Sequence, residues 1–135
     1  MKVLLDTHIL IWWLADDPRL PRTADLIIVD PANTVYVSAA SFWEIAIKSA
    51  LGHIDVDPDE MVAALQSAGF VELPITFRHS IECGRLPQHH RDPFDRMLVA
   101  QSRIEPMRLL THDQALADYG ETVLRVWREG GLDVA

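Results

Sequence analysis

Four acidic side chains, far apart in the sequence, have the type and placement needed to hold a divalent cation. Asp6 follows a short apolar segment, and Asp113 stands just beyond a second one at residues 107–111. Functional residues of open α/β sheets gather at the carboxyl ends of the strands, so these two acids are expected at one edge of a sheet. The other two are Glu44, in the stretch SFWE, and Asp95, in the stretch HHRDPFDR.

If these carboxylates meet, they repel one another and raise one another's pKa. A divalent cation removes that repulsion. Because the donors are oxygens and the sequence has a single cysteine, Cys83, a hard ion such as Mg²⁺ or Mn²⁺ is expected rather than a thiolate-bound metal. Such an ion also lowers the pKa of a bound water and takes phosphate oxygens as ligands, which predicts hydrolysis at phosphorus.

Each acid taken alone also has a purely structural interpretation. Asp6 and Asp113 suit the N-cap positions of helices that follow strands. Ser41 and Glu44 fit a capping box, and Lys48 stands one helical turn further for an ion pair. The sequence therefore leaves both interpretations open for these positions.

The segment HHRDPFDR has the pattern of a helix start as well. Asp92 suits the N-cap and Pro93 the first helical position. Asp95 is less well explained, because it shares its helix face with the apolar residues Leu98 and Val99. A carboxylate that points inward on such a face needs a partner, since burying an unpaired charge is costly.

The elements that must position these acids alternate between strands and helices. Strands are predicted at residues 2–6, 34–37, 70–73, 107–111 and 122–127. Helices are predicted at residues 7–15, 22–29, 38–51, 58–68, 76–83, 93–104 and 114–119. This alternation predicts an α/β fold with a mainly parallel sheet and helices on both faces, in a single domain over residues 1–135.

Composition and charge exclude several classes of protein. Hydrophobic residues make up 49% and charged residues 24% of the chain, as in ordinary globular domains. The sequence lacks a membrane-spanning run and a signal-peptide pattern, so a soluble cytoplasmic protein is expected. The net charge of -8 has the wrong sign for a general nucleic-acid binder, although residues 78–96 are the least acidic long stretch.

Four stretches in the same order resemble the PIN-domain ribonucleases, and most closely the VapC-type toxins of bacterial toxin–antitoxin pairs. They are MKVLLDTHILIWW, VSAASFWEIAIKSALG, LPQHHRDPFDRMLVAQ and LLTHD, and the match runs from residue 1 to about residue 127. The resemblance implies a PIN-like fold with a four- to five-stranded parallel sheet, and Mg²⁺- or Mn²⁺-dependent endonucleolytic cleavage of RNA. It also implies a VapB-like antitoxin that blocks the active site, and a homodimer.

Carried over position by position, the family's four acids fall on Asp6, Glu44, Asp95 and Asp113. The third falls on Asp95 rather than Asp92, in agreement with the apolar face that Asp95 shares. The resemblance implies that three of the acids hold the metal, with Glu44 as a further ligand or as the base that orients the attacking water. Every acidic position of the family is kept, so the sequence gives no sign of a degenerate, inactive copy.

Residues near these acids are candidates for binding substrate. Arg91 and Arg96 flank the third acid and keep their charge, so they are expected to guide RNA. Lys48, one turn beyond the glutamate, is expected to do the same or to pair with it. The family usually has a small hydroxyl group near the metal, for which Thr7 and Thr111 are the candidates.

Histidine and tryptophan are given more ordinary roles. His8, His89, His90 and His112 are expected at the rim of the site, since the proposed hydrolysis needs no histidine as a general base. The four tryptophans are expected to fill a core or an interface rather than to stack on bases.

Other functions compatible with an acidic α/β domain remain to be weighed. A receiver domain needs adjacent acids after its first strand, and a haloacid-dehalogenase-type phosphatase needs an aspartate where His8 stands, so both are disfavoured. A non-cleaving module that binds RNA or a partner, a housekeeping RNA-processing nuclease and a nuclease that cuts DNA all stay open.

Overall fold

The computed structural model describes residues 1–127 and the backbone of residues 131–134. Its strands are β1 (Lys2–Leu5), β2 (Thr34–Ser38), β3 (Val71–Leu73), β4 (Arg108–Thr111), β5 (Val123–Trp127) and β6 (Gly131–Val134). Its helices are α1 (Thr7–Leu14), α2 (Arg22–Val29), α3 (Ala39–Ala50), α4 (Pro58–Ser67), α5 (Phe77–Arg85), α6 (Pro93–Ile104) and α7 (Gln114–Ala117).

The described strands form one sheet in the order β3-β2-β1-β4-β5-β6. Strands β1 to β5 pair in parallel, and β6 pairs antiparallel with β5 at the edge. The predicted mainly parallel α/β sheet with five parallel strands is therefore confirmed. The edge strand β6 is an addition that the sequence pattern did not indicate, because Gly131–Val134 has only two apolar side chains to mark a strand.

Strand β1 is the centre of the sheet and is covered on both faces. Val3, Leu4 and Leu5 are fully buried. Leu4 lies opposite Tyr36 of β2 on one side and opposite Leu109 of β4 on the other. A continuous apolar run of this kind is typical of parallel strands between two helical layers, and here it ends directly at the first acid.

Two apolar cores hold the helices against the sheet. Helices α1 to α4 pack over the face that presents Val3, Leu5 and Leu110. The other face presents Leu4 and Leu109 to α6 and α7, with α5 packed against α6. Among the described residues, no helix combines the length and the hydropathy that crossing a bilayer requires.

Helix α6 begins and α3 ends at the residues that local signals predict. Asp92 caps α6, where its Oδ1 accepts the Phe94 N–H at 2.8 Å, and Pro93 is the first helical residue. Helix α3 ends just before Gly52, whose φ of 74° is the left-handed conformation that favours glycine. Helix α5 runs to Arg85, two residues beyond its predicted end.

The start of α3 corrects one prediction. The N-cap is Ser38, whose Oγ accepts the Ala40 N–H at 3.0 Å. Ser41 therefore lies inside the helix, and the capping box predicted for Ser41 and Glu44 is wrong. The two serines are three residues apart, so the helix starts almost one turn earlier and Glu44 falls in its second turn.

Substitution of Leu109 by alanine tests the central packing. Leu109 is fully buried in β4, so Leu109→Ala should lower the free energy of unfolding by about 2–5 kcal/mol. Leu26→Ala is a matched control, because that side chain is 55% exposed and its loss should cost less than about 0.5 kcal/mol. Urea denaturation followed by circular dichroism measures both, and equal losses would contradict the described core.

Candidate active site

Asp6 stands where β1 passes into α1. Its Oδ1 accepts the His8 N–H at 3.1 Å and so caps α1, and its Oδ2 accepts the hydroxyl of Thr111. The backbone N–H of Asp6 donates to the Leu110 carbonyl at 2.9 Å, which extends the pairing of β1 with β4. Burial raises the pKa of Asp6, and the hydrogen bond from Thr111 partly offsets that rise.

Asp113 follows the neighbouring strand β4 and shares a hydroxyl group with Asp6. Its Oδ1 caps α7 by accepting the Ala115 N–H at 2.9 Å, and its own N–H donates to Thr111 Oγ1 at 3.0 Å. Thr111 thus connects the two acids across the carboxyl ends of β1 and β4. The common strand edge predicted for Asp6 and Asp113 is confirmed.

Asp95 comes to this edge from the first turn of α6. Asp92 Oδ1 accepts the Asp95 N–H at 3.2 Å, and the Asp95 side chain is only 15% exposed. Burial and the charges of Asp6, Asp92, Glu44 and Asp113 raise the pKa of Asp95 from 3.8 to about 8. Burial and the repulsion within the cluster therefore both oppose the ionisation of Asp95.

Glu44 is the fourth acid and is nearly buried. Lys48 Nζ lies 2.8 Å from Glu44 Oε2, as the helical spacing predicted. The charge of Glu44 contributes to the raised pKa of Asp95, so it belongs to the same electrostatic cluster. Asp6 and Asp113 follow the ends of β1 and β4, Glu44 lies in α3 and Asp95 in α6, and the charges of the other three acids all act on Asp95.

His90 lies between two of these acids rather than at the rim, where it was expected. His90 Nε2 is 3.4 Å from Asp95 Oδ2 and 3.4 Å from Asp113 Oδ2. Its Nδ1 accepts the Asp92 N–H at 3.0 Å. The residue sits in the irregular segment before α6, where periodicity cannot show which way a side chain points. The histidine pair beside DPFD was the only available signal.

Arg96 does not face substrate, which corrects its expected role in guiding RNA. The residue is 9% exposed, and its guanidinium donates to the carbonyls of Cys83 at 3.0 Å and Pro87 at 2.9 Å and to the hydroxyl of Tyr119 at 3.2 Å. Longer hydrogen bonds reach the carbonyls of two further loop residues, Leu86 and His90. Arg96 therefore fixes the loop that carries His90.

The other candidates for substrate binding divide into exposed and buried groups. Arg91 is exposed beside the site, and Lys48 is partly exposed while paired with Glu44. Thr7 and Thr111 were expected to offer a hydroxyl group to the substrate. Both residues are buried, so neither hydroxyl is available for that contact. Thr111 does lie against the acids, whereas Thr7 donates its hydrogen bond to Ser41 Oγ at 2.9 Å.

The remaining histidines near the cluster pack against aromatic rings. His112 lies 4.6 Å from Trp12 and 5.6 Å from His8 between ring centroids. Burial lowers the pKa of His112, and its Nδ1 is buried without a hydrogen-bond partner among the described residues. His89 is exposed and meets the ring of Tyr119 edge-on at 5.1 Å.

The tryptophans differ in exposure. Trp12 is buried and Trp13 packs against Phe70 beside the first core, as expected of core residues. Trp43 is 62% exposed and meets Phe94 edge-on, with ring centroids 5.4 Å apart. Because Trp43 and Phe94 directly precede Glu44 and Asp95 in the chain, this aromatic pair lies on the surface next to the acids.

The donor groups of the cluster suit a hard divalent cation. One carboxylate oxygen each of Asp95 and Asp113 and a ring nitrogen of His90 lie within 4.8 Å of one another. The mutual repulsion that raises the pKa of Asp95 is the free energy that a cation would relieve. Oxygen donors favour Mg²⁺ or Mn²⁺ over softer metals, so the residues present fit the predicted ion.

Comparison with known proteins points to one family. Residues 3–122 match the family described as PIN domain. The chain is 30% identical over 119 residues to Ribonuclease VapC22 of Mycobacterium tuberculosis, and the alignment covers 87% of this chain and 91% of that protein.

Solved structures with the same fold come from several bacteria. VapBC2 of Rickettsia felis bound to promoter DNA matches with a TM-score of 0.63 and 14% identity over 84% of this chain and 89% of that one. A toxin–antitoxin complex of Klebsiella pneumoniae matches with a TM-score of 0.63 and 19% identity, and the match covers 90% of this chain and 94% of that one. VapBC-1 of nontypeable Haemophilus influenzae matches with a TM-score of 0.63 and 18% identity, and the match covers 88% of this chain and 92% of that one. At these identities the likeness bears on the fold.

The raised pKa of Asp95 predicts how metal-free stability depends on pH. Because the folded state binds this proton more tightly than the unfolded state, the contribution is complete below about pH 4 and is lost as the pH rises through about 8. Asp95→Asn removes the titrating group, so the variant should gain stability relative to wild type over that window. A shift of one pKa unit corresponds to about 1.4 kcal/mol, which urea denaturation in EDTA resolves. Parallel pH profiles of the two proteins would contradict the prediction.

Substitution of Arg96 tests its structural role. Arg96→Lys should lower the free energy of unfolding by about 1–3 kcal/mol, because one ammonium group cannot satisfy the carbonyls that the guanidinium holds. Arg91→Lys serves as the matched control, since Arg91 is exposed and the change should cost less than about 0.5 kcal/mol. If Arg96→Lys were as stable as wild type, the role of Arg96 in fixing the loop would be wrong.

Proposed function

The chain belongs to the PIN domain family, and from that premise we propose that it is a metal-dependent endoribonuclease of the VapC type, the toxin of a toxin–antitoxin pair. The observation that supports the proposal is the grouping of acids at the ends of β1 and β4, where Thr111 contacts both Asp6 and Asp113 and an oxygen of Asp95 lies within 4.8 Å of one of Asp113. The charge of the fourth acid, Glu44, also acts on Asp95. The relative named Ribonuclease VapC22 supports RNA as the substrate.

In this proposal Asp6, Asp95 and Asp113 hold Mg²⁺ or Mn²⁺, directly or through water. Glu44 completes the site as a further ligand or as the base. The bound ion would supply an activated water at neutral pH and positive charge beside the phosphate. Thr111 keeps the carboxylate of Asp6 in one orientation, and its second contact fixes the backbone of Asp113.

The protein's own groups then orient the reactants. Lys48 fixes the carboxylate of Glu44, which in its role as base would take the proton of the attacking water. The water oxygen attacks phosphorus, the bond between phosphorus and the 3′ oxygen breaks, and that oxygen takes a proton from solvent, so the products carry a 5′-phosphate and a 3′-hydroxyl. Arg91, exposed next to α6, contacts the phosphate backbone of the RNA. Its positive charge attracts phosphate, whereas the net charge of -8 of the whole protein repels RNA.

The partners follow from the same proposal. Solved structures of the same fold are toxin–antitoxin complexes, so a VapB-like antitoxin is proposed as the partner that blocks this site. The proposal also includes a homodimer, a cytoplasmic location and a single PIN domain over residues 1–135. A reading frame for a small DNA-binding protein beside the gene would separate a toxin from a housekeeping nuclease.

The first test is cleavage of total cellular RNA by purified protein with Mg²⁺, Mn²⁺ or EDTA, followed by sequencing of new 5′ ends. Wild type should give discrete cuts that EDTA abolishes. Asp113→Asn should lower the rate of cleavage by more than about 100-fold. Loss of a residue that only hydrogen-bonds to a metal ligand costs about 10- to 100-fold, and loss of a ligand should cost more.

Asp59→Asn is the control for that test, because Asp59 is an exposed aspartate on α4. It should cut like wild type. Cleavage that persists in EDTA and in Asp113→Asn would contradict the metal-dependent mechanism. Well-folded wild type, free of antitoxin, that cuts no class of RNA would favour a module that binds without cleaving.

A further inference from the structure

We infer that His90 is a positioning residue of the metal site, whose Nε2–H group lies close to the carboxylates of Asp95 and Asp113 and, by attracting both, keeps them in the arrangement that a cation needs. The inference rests on the proposed function, because it assigns His90 a role toward the same ion. It goes beyond the four acids by adding a group from a loop that carries none of them.

The hydrogen bonds of the ring determine which nitrogen carries the proton. The Asp92 N–H donates to His90 Nδ1 at 3.0 Å, so Nδ1 must present a lone pair. A neutral imidazole with a lone pair on Nδ1 has its hydrogen on Nε2. His90 Nε2 is 3.4 Å from an oxygen of Asp95 and 3.4 Å from an oxygen of Asp113, so its N–H group lies near both carboxylates at distances longer than an ordinary hydrogen bond.

The same tautomer argues against His90 as a metal ligand. The spacing of its Nε2 from the two carboxylate oxygens would by itself suit a three-ligand site. A ligand nitrogen must offer a lone pair, however, and Nε2 has none while Nδ1 accepts the Asp92 N–H. A carboxylate oxygen has two lone pairs, so Asp95 and Asp113 can accept from His90 and bind a cation together.

The loop around His90 is built to hold the ring in place. The His90 N–H donates to the hydroxyl of Tyr119 at 2.9 Å. Arg96 Nη1 donates to the same hydroxyl at 3.2 Å and contacts the His90 carbonyl at 3.4 Å. The His90 backbone is thus fixed on both sides by residues outside the acidic cluster, as pre-organisation of a functional group requires.

The experiment measures Mn²⁺ binding rather than cleavage, by calorimetric titration of metal-free protein. His90→Ala should weaken Mn²⁺ binding by about 10- to 100-fold, the usual cost of losing a group that orients metal ligands. His90→Gln should recover most of that loss, since its side-chain amide offers an N–H at a similar reach. His89→Ala is the matched control, because His89 packs on Tyr119 in the same loop without contacting the acids.

Pulsed electron paramagnetic resonance of the bound Mn²⁺ separates positioning from ligation. The nitrogen coupling should be the same in wild type and in His90→Ala loaded at high Mn²⁺ concentration. A directly bonded nitrogen in wild type that disappears in His90→Ala would overturn the inference in favour of a ligand.

Other outcomes are equally decisive. Wild type that binds no Mn²⁺ overturns both the proposed function and this inference. Equal Mn²⁺ affinity of wild type and a folded His90→Ala overturns the inference alone, as does an equal loss in His89→Ala. If His90→Ala fails to fold, Tyr119→Phe replaces it, because it removes the hydroxyl that holds His90 and keeps the buried ring. Unchanged Mn²⁺ affinity in Tyr119→Phe would also reject the inference. So would a Mn²⁺ affinity of His90→Gln that is about 10-fold or more below that of wild type.

Discussion

Carboxylates held side by side away from water repel one another, and this repulsion is the constraint on which the arrangement around the strand ends depends. Asp6 is buried, and the pKa of Asp95 rises to about 8 because burial and neighbouring negative charges both oppose its ionisation. Such a cluster costs stability that other parts of the fold must supply. The buried centre of the sheet supplies it, since β1 and β4 are enclosed by apolar side chains on both faces.

Local hydrogen bonds decide the orientation of the acids once the core has brought them together. Asp6 and Asp113 cap the helices that follow them, so the capping interpretation of these residues is confirmed and is compatible with the metal-binding role proposed for them. A cap fixes one carboxylate oxygen against backbone N–H groups and leaves the side chain facing the strand edge. Thr111 and Lys48 each add a hydrogen-bond donor, and the ring of His90 lies 3.4 Å from Asp95 and from Asp113.

The parts of the molecule with regular periodicity could be predicted from sequence. The buried run of β1 and the apolar face of α6 placed Asp6 and Asp95 correctly, because helical and strand spacing fix which way a side chain points. Arg96 and His90 could not be placed in this way. Arg96 looked like a surface cation beside an acid, and its burial depends on the path of residues 83–90, which has no repeating pattern. The helix start predicted at residue 38 agrees with the structure, and the capping box was assigned to Ser41 and Glu44 because Ser38 and Ser41 both suit an N-cap.

The pairing of β1 with β4 also determines when the site can exist during synthesis. The hydroxyl that holds Asp6 belongs to Thr111, 105 residues later in the chain, and Asp113 follows it. A nascent chain still lacking β4 has neither the hydroxyl nor the fourth acid, however well its first half folds. For a protein proposed to cut RNA, this late closure means that the ribosome making the chain is not exposed to a complete site until nearly the whole sequence has emerged.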